Sequence, residues 1–188
     1  SVRSFKYNNI EQQNRNRLML IDPTVDGIKT GHTQSAGYCL VSSAKRNDTR
    51  LIGVVLGAQK EKDRVQASQA LLNYGFSFFE SRKLYDPNAP IVMARIWKGE
   101  ESELPLGVPQ GLSVTVPKGQ APQVSTTTTV QPSIIAPVQK GQPLGEIVVK
   151  VGEQEVSRTP LVALQEVPES GWFGRMIDSI LMFFSSLF

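Results

Sequence analysis

The feature that most constrains this fold is the nine-residue stretch 25–33, Val-Asp-Gly-Ile-Lys-Thr-Gly-His-Thr, which lies between two apolar runs. Val25, Ile28 and Thr30 favour an extended backbone. Pro23, shortly before them, disfavours a helix. The stretch therefore predicts a β-strand whose side chains alternate between two faces.

The middle of this strand, Lys29-Thr30-Gly31-His32, contains the only histidine of the chain. A lysine ammonium and a threonine hydroxyl can together hold a carboxylate or a carbonyl. A glycine beside them lets another backbone approach closely. Strict alternation places Lys29 and Thr30 on opposite faces, so we expect a twist or a bulge to bring both into one cleft.

After this strand, the pattern predicts an antiparallel hairpin and then a helix. Two apolar runs, 37–44 and 50–56, are joined by turn-forming residues. From 60 to 80 the apolar residues recur at helical spacing, with Lys62 and Arg64 on the wetter side of the first turns. An amphipathic helix that covers an antiparallel sheet is therefore expected.

The second half of the chain has a different composition. The turn-rich segment 83–90 predicts a linker. Short β-type runs separated by glycine and proline then follow at 91–97, 112–116, 124–130, 146–151 and 161–164. Such spacing is typical of a small all-β sandwich. The predicted organisation is a first domain over 1–82, a linker over 83–90, a sandwich over 91–168 and a terminal helix over 169–188.

The tail, 171–188, has apolar residues at helical spacing, four phenylalanines and little charge. A core helix is one interpretation. An amphipathic helix lying in the plane of a membrane surface fits better, because the segment is terminal and follows a break at 168–171. The membrane-facing residues would be Trp172, Phe173, Ile177, Ile180 and Phe184. No stretch reaches the roughly 18 apolar residues of a transmembrane helix.

Composition excludes several classes of function. Lys and Arg number 20 against 17 acids, a net charge of +3. This weak basicity is far from the charge of a nucleic-acid-binding domain. One histidine and one cysteine, Cys39, argue against a protein metal site. We therefore expect no metal, no cofactor and no nucleic-acid partner.

Several motifs together resemble one protein family. They are Asn-Arg-Asn at 14–16, the stretch 25–33, Ala-Gly-Tyr at 36–38 and Leu-Val at 40–41. They closely resemble the low-molecular-mass penicillin-binding proteins, the serine-type D-alanyl-D-alanine carboxypeptidases of peptidase family S11. The implied fold is α+β: the C-terminal part of a penicillin-binding/β-lactamase-like transpeptidase domain, then an all-β sandwich and an amphipathic helix.

The resemblance also implies roles for the residues of the predicted strand. Lys29 and Thr30 would hold the substrate carboxylate and help proton transfer. Gly31 would let the substrate peptide lie antiparallel to the strand. The backbone N–H of His32 would join the oxyanion hole.

Two arginines enter the substrate site by the same resemblance. Arg15 belongs to the Asn-Arg-Asn signature, and Arg64 opens the predicted helix close behind the hairpin. Each also has a plainer interpretation, because a surface arginine and a charged residue at a helix start are usually only solvated. Both interpretations stay open at this point.

The implied activity is removal of the terminal D-alanine from peptidoglycan pentapeptide stems through an acyl-enzyme, with β-lactams acylating the same serine. The implied location is the periplasmic face of the bacterial cytoplasmic (inner) membrane, with the protein bound peripherally through its C-terminal helix. Membrane surface, D-Ala-D-Ala stems and β-lactams are the expected partners.

The family's other two motifs are not found where they would be needed. No Ser-x-Asn occurs, and the single Ser-x-x-Lys, 42–45, follows Lys-Thr-Gly and falls in a predicted hairpin arm. Residues three apart on a strand point to opposite faces, so this match is attributed to chance. The chain is therefore expected to lack the nucleophile, to need a missing N-terminal half of the catalytic domain and to be inactive alone. Two alternatives remain: a non-catalytic, membrane-anchored cell-wall binding module, and a β-lactamase-related fragment.

Overall fold

The computed structural model describes residues 2–185, and of 184 and 185 only the backbone. The chain is mostly β-structure with few helices. It divides into two compact units, one of Ser1–Arg82 with Thr115–Lys118 and one of Lys83–Val114 with Gly119–Phe188. No pattern in the sequence predicts that Thr115–Lys118 belong to the first unit although the residues on either side of them belong to the second.

The first unit contains five strands and two helices in the order β1 (Ser4–Tyr7), β2 (Ile10–Gln13), α1 (Leu18–Ile21), β3 (Val25–Thr33), β4 (Gly37–Arg46), β5 (Thr49–Ala58) and α2 (Glu61–Phe78). The predicted strand, hairpin and helix correspond to β3, β4–β5 and α2. The polar start of the chain forms the β1–β2 hairpin. Strand β6 (Phe79–Tyr85) follows α2 directly and runs into the predicted linker.

Strands β3, β4 and β5 form an antiparallel sheet in that order, so β3 lies at one edge. The register shift in β3 falls between Val25 and Gly27, and pairing is regular from Gly27 to Thr33. The irregularity expected near Lys29 and Thr30 is therefore displaced to the start of the strand.

Helix α2 packs on one face of this sheet. The core comprises Leu18, Val25, Leu40, Ala44, Val65 and Leu72. The opposite face is open: the side chains of Ile52, Val54 and Leu56 are 63%, 53% and 72% exposed. One prediction on the helix is wrong. Arg64 does not lie on the wetter side but is buried, because its guanidinium finds carbonyl partners at the end of the sheet.

The second unit is built on a six-stranded sheet. Its elements are β7 (Pro90–Trp97), β8 (Glu103–Gly107), the first half of β9 (Leu112–Pro117), a 3₁₀ turn (Ala121–Gln123), β10 (Val124–Val130), β11 (Ile134–Ile135), β12 (Pro143–Val151), β13 (Gln154–Ala163) and α3 (Trp172–Ser185). The sheet order is β10-β12-β13-β8-β7-β11, antiparallel except between β11 and β7. Its core includes Leu104, Leu106, Ile147, Val149 and Leu161.

Helix α3 turns its polar side chains toward this unit. The Asp178 carboxylate accepts a hydrogen bond from the backbone N–H of Lys98, and Arg175 pairs with Glu169. Four of the apolar residues predicted to face a membrane are exposed, namely Trp172, Phe173, Ile177 and Ile180. The side chain of the fifth, Phe184, lies outside the described residues. Among the described helices, none has the length and apolar character needed to cross a bilayer.

Candidate active site

A cavity of about 430 Å³ opens beside the edge strand β3. Its lining comprises Gln13, Arg15, Arg17, Lys29, Thr30, Gly31, His32, Tyr38, Glu61 and Arg64. All six residues predicted for catalysis or substrate binding are in this set. The structure thus gathers residues from β2, the segment after it, β3, β4 and α2 around one space.

Lys29 and Thr30 both line the cavity although they are neighbours on β3. Thr30 pairs with buried Leu40, on the face that α2 covers, so regular alternation directs Lys29 to the opposite face. The Lys29 ammonium nevertheless donates a hydrogen bond to the Thr30 carbonyl oxygen at 2.7 Å. Both side chains therefore line the cavity without a bulge between them.

Arg64 forms hydrogen bonds to three segments of the first unit: the segment after β2, strand β3 and strand β4. Only 3% of the residue is exposed. Its guanidinium donates to the carbonyl oxygens of Arg15 (3.2 Å), Gly31 (3.4 Å) and Cys39 (3.5 Å). It also pairs with the Glu61 carboxylate at 3.1 Å. Because these acceptors lie on separate segments, Arg64 positions β3 and the Arg15 backbone as well as adding positive charge to the cavity.

The Asn-Arg-Asn motif forms a tight, hydrogen-bonded bend that presents Arg15 to the cavity. The Asn14 side-chain oxygen accepts from the Asn16 backbone N–H at 2.8 Å, and the Asn14 amide donates to the Val2 carbonyl at 3.0 Å. The Arg17 guanidinium donates to the Gln13 side-chain oxygen at 2.7 Å. Arg17 was not assigned to the substrate site from the sequence, although its place two residues after Arg15 is a usable signal.

An aromatic wall closes one side of the cavity. The rings of His32 and Tyr38 have centroids 3.9 Å apart, and the two residues are directly paired across β3 and β4. The Arg64 guanidinium lies 5.4 Å from the Tyr38 ring centroid, within cation–π range. Tyr38 was not predicted as a site residue, because its position opposite His32 depends on the strand register.

The cavity suits an anionic ligand. Four cationic side chains line it, from Arg15, Arg17, Lys29 and Arg64, against the single carboxylate of Glu61. A concave site lined by charges of one sign attracts and concentrates ligands of the other sign. The edge position of β3 also leaves one side of that strand unpaired within the described sheet, which offers backbone groups to an extended ligand.

The serine of the Ser-x-x-Lys match lies elsewhere. Ser42 is fully buried, and its hydroxyl donates to the Gly53 carbonyl at 3.3 Å on the face covered by α2. It does not line the cavity. The interpretation of this match as fortuitous therefore agrees with the position of Ser42.

Comparisons with known proteins cover both units. Residues 1–60 match a family model described as D-alanyl-D-alanine carboxypeptidase, and residues 79–169 match one described as penicillin-binding protein 5, C-terminal domain. The chain is 42% identical over 188 residues to D-alanyl-D-alanine carboxypeptidase DacC of Escherichia coli, covering 99% of this chain and 47% of that protein.

A second relative and a solved structure agree. D-alanyl-D-alanine carboxypeptidase DacA of Haemophilus influenzae is 36% identical over 192 residues, which cover all of this chain and 49% of that protein. The crystal structure of penicillin-binding protein 5 from Haemophilus influenzae superposes with a TM-score of 0.76 at 34% identity, covering 89% of this chain and 50% of that one. The chain thus spans about half the length of the curated relatives it matches.

Proposed function

The chain belongs to the D-alanyl-D-alanine carboxypeptidase family of penicillin-binding proteins, and we propose that it supplies one wall of an active site that removes the terminal D-alanine from peptidoglycan pentapeptide stems. The observation that carries this proposal is the cationic cavity beside the edge strand β3, in which the predicted site residues come together. In this reading the domain of residues 1–82 is the C-terminal part of a transpeptidase-like catalytic domain.

The cavity binds the substrate through its terminal carboxylate. The Lys29 ammonium and the Thr30 hydroxyl hold that group, and Arg15 and Arg64 add positive charge around it. A hydrogen bond to a charged group contributes about 1.5–3 kcal/mol, so two such bonds already select strongly for a free C-terminal carboxylate. A peptide with a blocked C-terminus has no anion to offer this site.

The substrate backbone adds to the sheet as an extra strand along β3. Packing within the first unit does not require a glycine at position 31, because an added Cβ would lie 3.8 Å from the Cys39 Cβ, an ordinary contact. The glycine is therefore better explained by the close approach of the substrate backbone. The backbone N–H of His32 points to the oxyanion, where loss of one donor typically costs about 2.7–4 kcal/mol. The His32 imidazole takes no proton in this scheme.

The chemistry is acyl transfer through a serine from a part of the polypeptide outside residues 1–188. The serine oxygen attacks the penultimate carbonyl carbon, the C–N bond breaks, and D-alanine leaves with a proton on its amine. Water then cleaves the ester and restores the serine. Lys29 assists proton transfer during these steps, and a β-lactam acylates the same serine in place of the substrate.

Helix α3 anchors the protein at the periplasmic face of the bacterial cytoplasmic membrane. Its polar residues Arg175 and Asp178 are engaged with the second unit, while Trp172, Phe173 and Ile177 are exposed. A helix with one apolar face and one polar face lies in the interfacial plane. The β-domain of residues 91–168, proposed as a small sandwich, serves as the spacer between catalytic domain and anchor.

The test is substitution of Lys29 in the complete protein. We expect Lys29→Ala to abolish D-alanine release and to slow acylation by a labelled penicillin, because the carboxylate loses its cationic partner. Thr30→Val removes one hydroxyl among several contacts, so its loss should be smaller, about 1.5–3 kcal/mol. The control is Lys140→Ala, an exposed lysine of the second unit. Normal turnover by Lys29→Ala would contradict the assignment of this cavity as the substrate site.

A further inference from the structure

A cavity of about 610 Å³ lies within the second unit, between helix α3 and the end of strand β7. Charged and apolar side chains share its lining, which includes Lys98, Glu169, Trp172, Arg175 and Met176. Trp172 and Met176 are also among the exposed apolar residues of α3. The cavity therefore adjoins the apolar residues that are proposed to enter the membrane surface.

Lys98, the residue after β7, is held in an uncommon backbone conformation by the segment that carries α3. Its φ of 61° lies in the left-handed region, which residues other than glycine rarely adopt. Its backbone N–H donates to the Asp178 carboxylate, and its carbonyl oxygen accepts from the Ser170 backbone N–H at 2.8 Å. These two hydrogen bonds fix the Lys98 backbone against the helix, so its side chain starts from a defined point beside the cavity.

The cationic groups of the cavity have donors to spare. Among the residues that the structure describes, no acceptor lies within hydrogen-bond distance of the Lys98 ammonium, which has three N–H donors. Arg175 uses one of its five N–H donors on the Glu169 carboxylate. Lys98 and Arg175 can therefore both donate to the oxygens of a phosphate group.

The carboxylate of the same cavity also has capacity left. Glu169 Oε2 accepts from Arg175 Nη1, and 45% of the Glu169 side chain is exposed. A carboxylate has about four acceptor positions, so the contact with Arg175 leaves most of them open to a further donor. The cavity thus offers donors for an anion and an acceptor for a cation in one space.

We propose that this cavity binds the phosphoethanolamine headgroup of a membrane phospholipid, with the phosphate at Lys98 and Arg175 and the primary ammonium at Glu169. Both charges of this headgroup then meet a counter-charge. Phosphocholine has no N–H to donate to Glu169, and phosphoglycerol has no cation. The acyl chains leave the cavity past Trp172 and Met176. The inference rests on the proposed anchoring by α3, because an interfacial helix lies at the boundary between headgroups and acyl chains.

The test is liposome co-sedimentation of the complete protein with two kinds of vesicle that have the same net charge and the same acyl chains. One is pure phosphatidylcholine, and the other is an equal mixture of phosphatidylcholine and phosphatidylethanolamine. We expect the apparent Kd to be about twofold to fivefold lower on the mixed vesicles, the effect of one partly exposed ion pair. Glu169→Gln should bring this ratio near one. Lys98→Gln should also reduce it, because the phosphate loses a partner.

Matched controls separate the headgroup site from general effects of the bilayer. Lys140→Gln and Glu153→Gln alter exposed charges of the second unit outside the cavity and should keep the ratio. The double variant Phe173→Ser, Ile177→Ser should weaken binding to both vesicles by a similar factor. Circular dichroism shows that each variant is folded.

The outcomes distinguish the headgroup site from the anchor. A ratio near one for unaltered protein that binds both vesicles overturns the site and leaves the anchoring by α3 standing. An unchanged ratio in either folded variant, Glu169→Gln or Lys98→Gln, also overturns the site, since bilayer packing then accounts for the preference. Binding of the unaltered protein to neither vesicle overturns both proposals.

Discussion

Arg64 is a charged side chain whose surroundings are almost entirely protein. Its partners are the backbone carbonyls of Arg15, Gly31 and Cys39 and the Glu61 carboxylate. A buried charge is tolerated only when it is paired and hydrogen-bonded, and removing it leaves its acceptors unsatisfied. Arg64 therefore contributes to holding β3 against the loop that carries Arg15.

A first prediction at this scale concerns Arg64→Met, which keeps much of the side-chain volume and removes the charge. We expect the free energy of unfolding of the complete protein to fall by roughly 2–4 kcal/mol, because buried carbonyls lose their donor. Chemical denaturation measures this loss. Lys62→Met, an exposed substitution in the same helical turn, should change stability by less than about 0.5 kcal/mol. Equal effects of the two would contradict the role given to Arg64.

A second prediction concerns Asp22, which pairs with Arg46 at 2.9 Å. Burial raises the pKa of Asp22, but hydrogen bonds from the Thr24 hydroxyl and backbone N–H, together with Arg46, outweigh it and lower the pKa below its usual value. A lowered pKa in the folded state stabilises the fold above the unfolded-state pKa of about 3.9, and this contribution is lost as pH falls through the folded-state value.

Asp22→Asn should accordingly be less stable than the unaltered protein at neutral pH. The difference should shrink as pH falls from about 4 through the lower folded-state pKa, since the carboxyl of the unaltered protein is then protonated first in the unfolded state and finally in the folded state. Thermal unfolding at neutral pH and at decreasing acid pH measures the gap. A gap that stays constant down to the lowest pH would show that lost packing, and not the carboxylate charge, is responsible.

At the scale of elements, α3 combines polar contacts to the second unit with exposed apolar residues. Its Arg175 and Asp178 side chains make those contacts. We predict that the complete protein binds liposomes through this helix, and that ending the chain at Ser170 abolishes co-sedimentation. Ser170 is kept because its backbone N–H donates to the Lys98 carbonyl at 2.8 Å.

The double variant Phe173→Ser, Ile177→Ser tests the apolar face while leaving the helix in place. It should bind liposomes more weakly than the unaltered protein. The binding free energy should become less favourable by about 25 cal/mol for each Å² of apolar surface that is no longer buried in the membrane. Added salt should have little effect, since Arg175 and Asp178 cancel. Equal co-sedimentation of the truncated and intact proteins would rule out α3 as the anchor.

At the scale of the whole molecule, the first unit carries an exposed apolar sheet face. Ile52, Val54 and Leu56 lie on the side of the sheet away from α2. Exposed apolar patches of this kind mark surfaces that bind other protein. Under the proposed function, we expect this face to pack against another part of the catalytic domain.

We predict that residues 1–188 alone neither release D-alanine nor retain a labelled penicillin. An activated nucleophile with a base in reach is required, and Ser42 is buried away from the cavity. Supplying the missing part of the catalytic domain, linked or in trans, should restore both activities. Mass spectrometry of penicillin-treated protein is the measurement. A stoichiometric adduct on one serine of this chain would overturn the prediction.

Much of the fold could be read from local patterns. The β-propensity of 25–33, the paired apolar runs after it and the helical spacing of 60–80 correspond to β3, β4–β5 and α2. Other elements carried too little signal. Strand β11 has only two residues, β8 contains a proline, and β6 begins directly after α2 without a break in composition.

Local sequence is enough to predict an anion site on β3, because Lys29, Thr30 and Gly31 form a recognisable motif. Which distant residues lie beside them depends on tertiary packing. Arg64 is buried because carbonyls 33 and 49 positions away, at Gly31 and Arg15, converge on it. Tyr38 faces His32 because of the strand register. Local propensity contains no information on such convergence, since burial and register are set by the packing of separate segments.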